Sequence, residues 1–259
     1  MANQGYSDKV LRRGVDYKSM FHPQVYLDDY YGPGVPQSAV IKDFLHSLFN
    51  TGNINGDRLL DLGSGPVVSN HISAAKWFNE LIFSDYAPGN RDALRKWKNN
   101  DVDAFDWDPA FKYVAALEGD VTKWEEDREN FRRKMSAIYD CDVHNDNPLH
   151  PVTCQPFDCV TSFFCLEETC ADEEEFCRVI RNVTSLLREG GVLILLNAVG
   201  QSTFKCGDVY FSSLSVEKND VIKALEKVGL KDISWHSFQA PPMAGLSDSA
   251  QCYVVVAKK

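Results

Sequence analysis

The side chains best suited to hold a small ligand stand directly after runs of apolar residues. They are glycines, acids, an amide and an adjoining valine: Gly63, Gly65, Asp85, Asp142, Val143, Glu167 and Asn197. Apolar runs of this kind are typical of buried strands, and the carboxyl ends of parallel strands meet at one edge of a sheet. Ligands of such sheets bind in the crevice at that edge. The spacing therefore predicts one binding site for a nucleotide-like ligand.

The glycine turn ends a predicted strand in Asp61-Leu62-Gly63-Ser64-Gly65-Pro66. Glycines let the backbone turn sharply and approach a ligand closely, although any strand-to-helix turn can carry a glycine pair. Asp85 follows the next strand, roughly 20 residues after Gly65, where an acid commonly accepts hydrogen bonds from ribose hydroxyls. This spacing favours a ligand role for Asp85 over a purely turn-forming one. Asn90 lies close enough in sequence to be a second polar contact.

Two cofactor classes fit this crevice, a dinucleotide and S-adenosylmethionine. A dinucleotide site needs Gly-x-Gly-x-x-Gly, so that a helix N-terminus can face the pyrophosphate. Here Val68 occupies the third glycine position and Pro66 directly follows the second glycine. S-adenosylmethionine carries no phosphate, and its sulfonium suits a pocket rich in tyrosine faces, such as those of Tyr26, Tyr30 and Tyr31. The residues favour the methyl donor.

Strand-like and helix-like segments alternate along most of the chain, which predicts an α/β fold with a mostly parallel, doubly wound sheet. We expect a single domain over 1–259. Within it, residues 1–50 form a cap or lid that contains the aromatic segment 21–31. Residues 51–259 form the core, which carries a hairpin insertion at 200–213.

Apolar residues at helical spacing predict helices at Ser38–Phe49 and Asp172–Leu187. We also expect a helix from Ser69 to Trp77, directly after the glycine turn, and a strand from Tyr113 to Leu117. These elements would place the polar strand ends described above around one crevice.

The composition limits the kinds of partner. A formal net charge of -10 over 259 residues works against a nucleic-acid partner, because such proteins present a basic face. The sequence has no apolar run of transmembrane length and no signal peptide, so we expect a cytoplasmic monomer without a membrane partner. Eight cysteines without a Cys-x-x-Cys pair indicate reduced thiols and argue against a zinc or other metal site.

Several motifs, in a fixed order, resemble one family from about Tyr17 to the C-terminus. They are Tyr26-Leu27-x-x-Tyr30-Tyr31, Asp61-Leu62-Gly63-Ser64-Gly65-Pro66, Ser84-Asp85-Tyr86 with Asn90, Ala104-Phe105-Asp106-Trp107, Cys141-Asp142-Val143, Cys165-Leu166-Glu167, Leu186-Leu187-Arg188-Glu189-Gly190-Gly191 and Phe211-Ser212-Ser213. Together they resemble the small-molecule amine N-methyltransferases, which include the nicotinamide, indolethylamine and phenylethanolamine N-methyltransferases.

The resemblance implies a class I S-adenosylmethionine-dependent methyltransferase, a Rossmann-like core beneath an N-terminal helical cap. Its reaction would methylate the nitrogen of a small amine, an arylalkylamine (phenylethylamine or indolethylamine) or a pyridine such as nicotinamide, and release S-adenosyl-L-homocysteine. The implied cofactor-binding residues are Tyr17, Tyr26, Tyr31, Gly63, Ser64, Gly65, Asp85, Tyr86, Asn90, Asp142, Val143 and Phe163. Where the family often has a further tyrosine, this chain has Ser69.

In the acceptor site this chain differs from the enzymes that it resembles. The phenylethanolamine enzymes place the Glu of Cys-Leu-Glu at the substrate amine, which implies that Glu167 is catalytic together with Tyr26. We expect Glu167 to orient the amine first and to accept its proton second; a carboxylate that stabilises the start of the next helix is the alternative. Asn197 and Phe204 replace an Asp and a Tyr of the nicotinamide enzymes. The expected substrate-binding residues are Phe164, Glu167, Asn197, Gln201, Phe204, Ser213 and Asp248.

Three other interpretations stay open. One is an NAD-dependent oxidoreductase on the same fold, which the missing third glycine disfavours. Another is a cofactor-binding protein whose altered acceptor pocket, with Asn197 and Gln201, is not catalytic. The last is a nucleic-acid or protein methyltransferase, which the acidic charge disfavours.

Overall fold

A computed structural model describes residues 10–32, 35, 37–240, 245–249 and 251–259. Its strands form a large sheet and a small one. The strands are β1 (Leu11–Arg12), β2 (Gly56–Leu62), β3 (Phe78–Asp85), β4 (Met135–Asp140), β5 (Phe157–Phe163), β6 (Leu187–Ala198), β7 (Thr203–Cys206), β8 (Val209–Ser212), β9 (Lys231–Gln239) and β10 (Gln251–Lys258).

The large sheet has seven strands in the spatial order β4-β3-β2-β5-β6-β10-β9. The strands from β4 to β6 pair in parallel, and β10 runs antiparallel to both of its neighbours. The strand β2 lies between β3 and β5, so the chain order reverses beside it. Such a reversal opens a crevice at the carboxyl ends of the strands. The glycine turn leaves β2 at this point, and the predicted mostly parallel α/β sheet is confirmed.

Helices cover both faces of the large sheet. They are α1 (Tyr17–Met20), α2 (Pro23–Tyr31), α3 (Gln37–Phe49), α4 (Pro88–Lys98), α5 (Asp108–Leu117), α6 (Trp124–Lys134), α7 (Leu166–Thr169), α8 (Glu173–Ser185) and α9 (Lys218–Lys227). In the described ranges, no helix combines the length and the apolar character that a membrane span requires.

Adjacent residues of β2 belong to different cores, because side chains alternate between the two faces of a strand. Leu59 belongs to a buried apolar cluster that includes Leu45 of α3 and Phe111 of α5. Leu60 belongs to a second cluster, which includes Phe176 of α8 and Val221 of α9. A core on each face confirms the doubly wound arrangement.

The small sheet has three strands in the order β1-β8-β7. The antiparallel pair β7–β8 is the predicted hairpin, and β1 pairs in parallel with β8. Arg13 Nε donates a hydrogen bond to Ser212 Oγ at 2.9 Å. Asp29 of α2 accepts another from the backbone N–H of Gly207, at 3.0 Å. The N-terminal segment and the hairpin are therefore joined.

Two predicted elements are wrong. Residues 113–117 belong to α5, where Phe111, Val114 and Ala115 are buried at helical spacing; a five-residue apolar run cannot distinguish a strand from part of a helix. The segment predicted as a helix from Ser69 to Trp77 contains only two short 3₁₀ turns, Ser69–His71 and Ala74–Lys76. Serine and asparagine have a lower helix propensity than alanine or leucine, which disfavours a longer helix here.

Candidate active site

The glycine turn is shaped by two residues with positive φ, Gly63 at 73° and Gly65 at 58°. A Cβ atom on Gly63 would lie 2.0 Å from Cys165 Sγ, so packing as well as backbone conformation requires glycine there. The Ser64 hydroxyl donates to the carbonyl oxygens of Asp61 at 3.1 Å and Ser84 at 3.0 Å. These contacts fix the turn over the carboxyl ends of β2 and β3.

Asp85, the last residue of β3, connects the glycine turn to the start of α4. Its carboxylate accepts hydrogen bonds from the backbone N–H of Gly65 at 2.7 Å and of Ala87 at 2.8 Å, and from the Asn90 side-chain amide at 3.0 Å. Burial raises the pKa of Asp85 above its usual value, while these hydrogen bonds oppose the shift. The buried amide oxygen of Asn90 has no partner among the described residues. It can therefore accept a hydrogen bond from a ligand hydroxyl.

A cavity of about 320 Å³ lies at this edge of the sheet. Every residue predicted to bind the cofactor lines it: Tyr17, Tyr26, Tyr31, Gly63, Ser64, Gly65, Asp85, Tyr86, Asn90, Asp142, Val143 and Phe163. The sequence pattern and the resemblance therefore identified residues that the fold brings together around one space.

Aromatic rings of the cap form one wall of the cavity. The Tyr26 ring centroid lies 4.8 Å from that of Tyr30 and 6.0 Å from that of Tyr31. The Tyr30 hydroxyl donates to the backbone oxygens of Lys205 at 2.9 Å and Leu246 at 3.0 Å. Tyr30 thus joins α2 to the hairpin and to the segment before β10, and it holds the aromatic wall against both.

The hydroxyl of Tyr17 is buried and has no hydrogen-bond partner among the described residues. Its ring packs on Phe211 of the hairpin, with 4.5 Å between centroids. Burial raises the pKa of Tyr17 well above its usual value, and it raises the pKa of Tyr31 to about 12. Both hydroxyls are therefore neutral donors on the cavity wall. The unpaired hydroxyl of Tyr17, like the unpaired amide oxygen of Asn90, fits a polar ligand such as S-adenosylmethionine.

Asp142 lies just after β4, on the same wall. Its Oδ1 atom accepts from the backbone N–H of His144 at 3.0 Å and lies 3.1 Å from the His144 ring Nδ1. The other ring nitrogen, Nε2, lies 3.5 Å from a carboxyl oxygen of Glu175. The His144 ring therefore lies between two acids, with Oδ1 of Asp142 as its nearer contact.

Glu167, predicted to meet the substrate amine, does not line the cavity as the described residues define it. The Tyr253 hydroxyl donates to its Oε1 atom, and Asn197 Nδ2 donates to its Oε2 atom at 2.5 Å. Its side chain is buried among these partners in the core. Donors from strands β6 and β10 hold this carboxyl group in the core, and its contact with the substrate amine stays a prediction.

The next residue, Glu168, lines the cavity instead. Asn197 Nδ2 lies 3.2 and 3.1 Å from its two carboxyl oxygens, and Gln201 Nε2 lies 3.5 Å from one of them. Burial and the charge of Glu167 raise the pKa of Glu168 to about 8. A carboxyl group with such a pKa can gain or lose a proton near neutral pH.

The other predicted acceptor residues divide into two groups. Phe164, Gln201 and Phe204 line the cavity. Asn197, Ser213 and Asp248 are not among the residues lining it. Asn197 binds the two glutamates, and Asp248 accepts hydrogen bonds from the Ser202 hydroxyl at 2.5 Å and from the backbone N–H of Ser202 at 3.1 Å. Asp248 therefore fixes the start of β7, and its role as an acceptor contact stays a prediction.

Several residues on the cavity wall were not predicted from the sequence: Phe21, His144, Glu168 and Ser247. The adjacent acids of Glu167-Glu168 were a visible signal, but the pattern could not distinguish which side chain faces the ligand. Ser247 carried no signal in the sequence. Its hydroxyl donates to Gln201 Oε1 at 2.7 Å, which orients the Gln201 amide.

The chain is similar to nicotinamide N-methyltransferase of Homo sapiens, at 37% identity over 225 residues that cover 85% of each chain. It is also similar to indolethylamine N-methyltransferase of Oryctolagus cuniculus, at 33% identity over 255 residues, 95% of this chain and 96% of the relative. A solved structure of magnesium protoporphyrin IX methyltransferase from Synechocystis shares the fold, with a TM-score of 0.58, 14% identity and coverage of 94% and 95%. A model of the NNMT/PNMT/TEMT family matches residues 9–259. The chain therefore belongs to the NNMT/PNMT/TEMT family.

Proposed function

We propose that this protein transfers the methyl group of S-adenosylmethionine to the nitrogen of a small arylalkylamine that enters the site as an ammonium ion. Methylation of a small amine with this donor follows from the family. The choice of an arylalkylamine rests on one observation: the cavity that contains the cofactor-type residues also contains the buried carboxyl group of Glu168. When ionised, this buried acid matches a cationic amine, and a neutral pyridine would leave its charge without a partner.

The fit to the cofactor rests on atoms that the fold leaves available. Tyr17 and Asn90 offer an unpaired buried hydroxyl and amide oxygen, for the methionine and ribose parts respectively. Asp142 and Val143 would hold the adenine, and the backbone at Gly63 would approach the methionine portion. When bound, S-adenosylmethionine supplies a methyl group on a sulfonium, whose carbon–sulfur bond breaks as the amine nitrogen forms the new carbon–nitrogen bond.

The acceptor part of the cavity combines rings with polar groups. Phe164 and Phe204 offer apolar faces for an aryl group, and Gln201 and Ser247 offer polar atoms beside Glu168. Ring contacts with an aryl group contribute roughly 0.5–1.5 kcal/mol beyond burial. The Glu168 carboxylate would pair with the ammonium at the end of the alkyl chain. We infer from this arrangement that the substrate has an aromatic ring separated from its nitrogen by a short alkyl chain.

Positioning is the main catalytic contribution that this site can make. Aligning the nitrogen with the methyl group lowers the activation free energy by several kcal/mol, up to roughly 7–11 kcal/mol in ideal cases. The cap supports it: Tyr26 and Tyr31 line the cavity, and Tyr30 ties their helix to the hairpin. Tyr26 would act in this wall by excluding water and contacting the donor. Burial raises its pKa well above the usual value, so its hydroxyl stays protonated.

Two measurements test the proposal. Calorimetric titration should show binding of S-adenosyl-L-homocysteine and no binding of NAD; the reverse would support the oxidoreductase interpretation. Incubation with labelled donor and a panel of phenylethylamine, indolethylamine and nicotinamide should label the arylalkylamines. Cofactor binding without label in any amine would support a non-catalytic cofactor-binding protein. Action as a cytoplasmic monomer without nucleic acid stays a prediction from the sequence.

A further inference from the structure

The amide nitrogen of Asn197 lies between two buried carboxyl groups. It is 2.5 Å from Glu167 Oε2 and 3.1 and 3.2 Å from the carboxyl oxygens of Glu168. The amide oxygen of Asn197 accepts from the backbone N–H of Ala198 at 2.7 Å, which fixes the orientation of the amide. Each glutamate is 4% exposed. Because like charges repel strongly in a buried site, such a pair is most stable with one proton.

The hydrogen bonds indicate which glutamate carries the charge. Burial raises the pKa of Glu167 above its usual value, and the hydrogen bonds from the Tyr253 hydroxyl and from the shorter contact with Asn197 oppose that shift. Glu168 shares the same amide at longer distance and has a 3.5 Å contact with Gln201. Donors stabilise an ionised carboxylate. Glu167 is therefore the anion, and Glu168 is the carboxyl group whose protonation changes near neutral pH.

The other titratable groups that face this pair are neutral. Burial raises the pKa of each of them, namely Tyr17, Tyr26, Cys165, Cys170 and Tyr253. They belong to the cap, to the two residues that flank α7 and to β10. No lysine or arginine of the described ranges contributes to the pKa shift of either glutamate. The charge of Glu167 is thus the main electrostatic influence on Glu168.

We propose, on the basis of the proposed function, that Glu167 and Asn197 are positioning residues that keep Glu168 able to exchange its proton. Glu168 then deprotonates the substrate ammonium before methyl transfer. An N–H bond of R–NH₃⁺ breaks, an O–H bond forms on Glu168, and the nitrogen keeps the electron pair that it needs to attack. The methylated product leaves as an ammonium ion. Glu168 then releases its proton to solvent when the site opens.

The test is the pH dependence of kcat/KM for an arylalkylamine. The reaction needs ionised Glu168, so the acid limb of the profile follows its pKa. Glu167→Gln removes the repelling charge and should move this limb to lower pH by about one unit. Asn197→Asp adds a like charge and removes a donor, so it should move the limb to higher pH. Opposite shifts in two variants of one contact are the expected result.

A control variant and an independent titration make the outcome decisive. Glu174→Gln, an exposed acid in α8, should leave the limb in place. If both variants were slower but kept the acid limb of the pH profile in place, Glu167 and Asn197 would have only a structural role. That result would overturn the inference. Carbon-13 NMR of the Glu168 carboxyl group, titrated without substrate, should show the same two shifts. If the wild-type protein methylates no amine, the proposed function fails, whereas this titration still decides the inference.

Discussion

Glu167 and Glu168 are adjacent in the chain, yet Tyr253 binds the carboxyl group of one in the core while the carboxyl group of the other lines the cavity. Successive residues of a helical turn point about 100° apart, so adjacent side chains face different surroundings. The amide of Asn197 contacts both carboxyl groups. This relationship provides the acceptor site with one carboxyl group whose protonation is set by a neighbour outside the cavity.

Gly63→Ala should weaken the binding of S-adenosyl-L-homocysteine by at least about tenfold, which corresponds to 1.4 kcal/mol. The new Cβ would lie 2.0 Å from Cys165 Sγ, on a backbone with φ of 73°. Isothermal titration calorimetry would measure the change. Gly229→Ala is the matched control, since Gly229 has φ of 91° and no atom within 4 Å of an added Cβ. It should lose stability from backbone strain and keep its cofactor affinity; equal affinity in both variants would contradict the account of the turn.

Protein stability should fall as pH rises from 6.5 to 8, in part because of Asp61 and His71. These buried side chains lie 3.5 Å apart, and Thr161 binds both. Burial raises the pKa of Asp61 to about 8 and lowers the pKa of His71 to about 3. Between about pH 3 and pH 8 the folded pair therefore holds one proton, on Asp61. In the unfolded chain Asp61 is ionised, and the His71 ring, with an ordinary pKa of about 6.5, holds about half a proton at pH 6.5 and almost none at pH 8. The folded pair therefore binds more protons than the unfolded pair across this range, so rising pH favours unfolding.

Asp61→Asn should remove this part of the pH dependence. The expected contribution is roughly 1–2 kcal/mol of unfolding free energy between pH 6.5 and 8. Urea unfolding of both proteins at each pH would measure it. Glu168 adds a dependence of the same sign, because its pKa is also raised to about 8, but it does so in both proteins and cancels. Identical pH dependence in the two proteins would show that the pair does not hold a proton.

His144→Ala should weaken cofactor binding roughly two- to tenfold, the range of one hydrogen bond. The His144 ring lies 3.1 Å from Asp142 Oδ1 and positions the carboxylate that we assign to the adenine. Titration with S-adenosyl-L-homocysteine would measure the loss. An analogue with inosine in place of adenosine lacks the exocyclic amine, so it should bind both proteins equally. An equal loss with the analogue would show that His144 does not act through Asp142.

Tyr30→Phe should raise KM for the amine and lower the unfolding free energy by roughly 0.5–1.5 kcal/mol, since the one hydroxyl proton that two carbonyl oxygens share is lost. The Tyr30 hydroxyl donates to Lys205 and Leu246, which join the cap to the acceptor side of the cavity. Tyr113→Phe is the control, because the Tyr113 hydroxyl binds Asp43 on an exposed surface at 2.7 Å. That variant should leave KM unchanged. The same KM in Tyr30→Phe would show that the contact does not shape the acceptor site.

The cofactor half of the site could be predicted because it depends on strand order. Gly63, Asp85 and Asp142 each follow a strand of the parallel sheet, so the fold alone brings them together. The acceptor half depends on contacts between elements distant in the chain. Tyr253 lies 86 residues from Glu167 in the sequence. No local sequence pattern predicts that its hydroxyl binds this carboxyl group. The choice between Glu167 and Glu168 therefore required the structure.

Local ambiguity explains the errors in secondary structure. The run Tyr113–Leu117 is too short to show a helical period, and its helix became recognisable only with Phe111 and Ala110 buried on the same face. The role of Asn197 also could not be predicted from its neighbours in the sequence. It looked like a substituted acceptor contact, and its role in binding the two glutamates depends on α7 packing beside β6.

The most direct measurement is the ratio of kcat/KM for an arylalkylamine to kcat/KM for nicotinamide, in the wild-type protein and in Glu168→Gln. The loss of a charged hydrogen bond costs roughly 1.5–3 kcal/mol, so the variant should lose about 10- to 100-fold on the arylalkylamine and little on nicotinamide. The wild-type ratio should exceed one, and binding of S-adenosyl-L-homocysteine should be unchanged. A wild-type preference for nicotinamide, with the same ratio in Glu168→Gln, would contradict the assignment of Glu168 to a cationic amine.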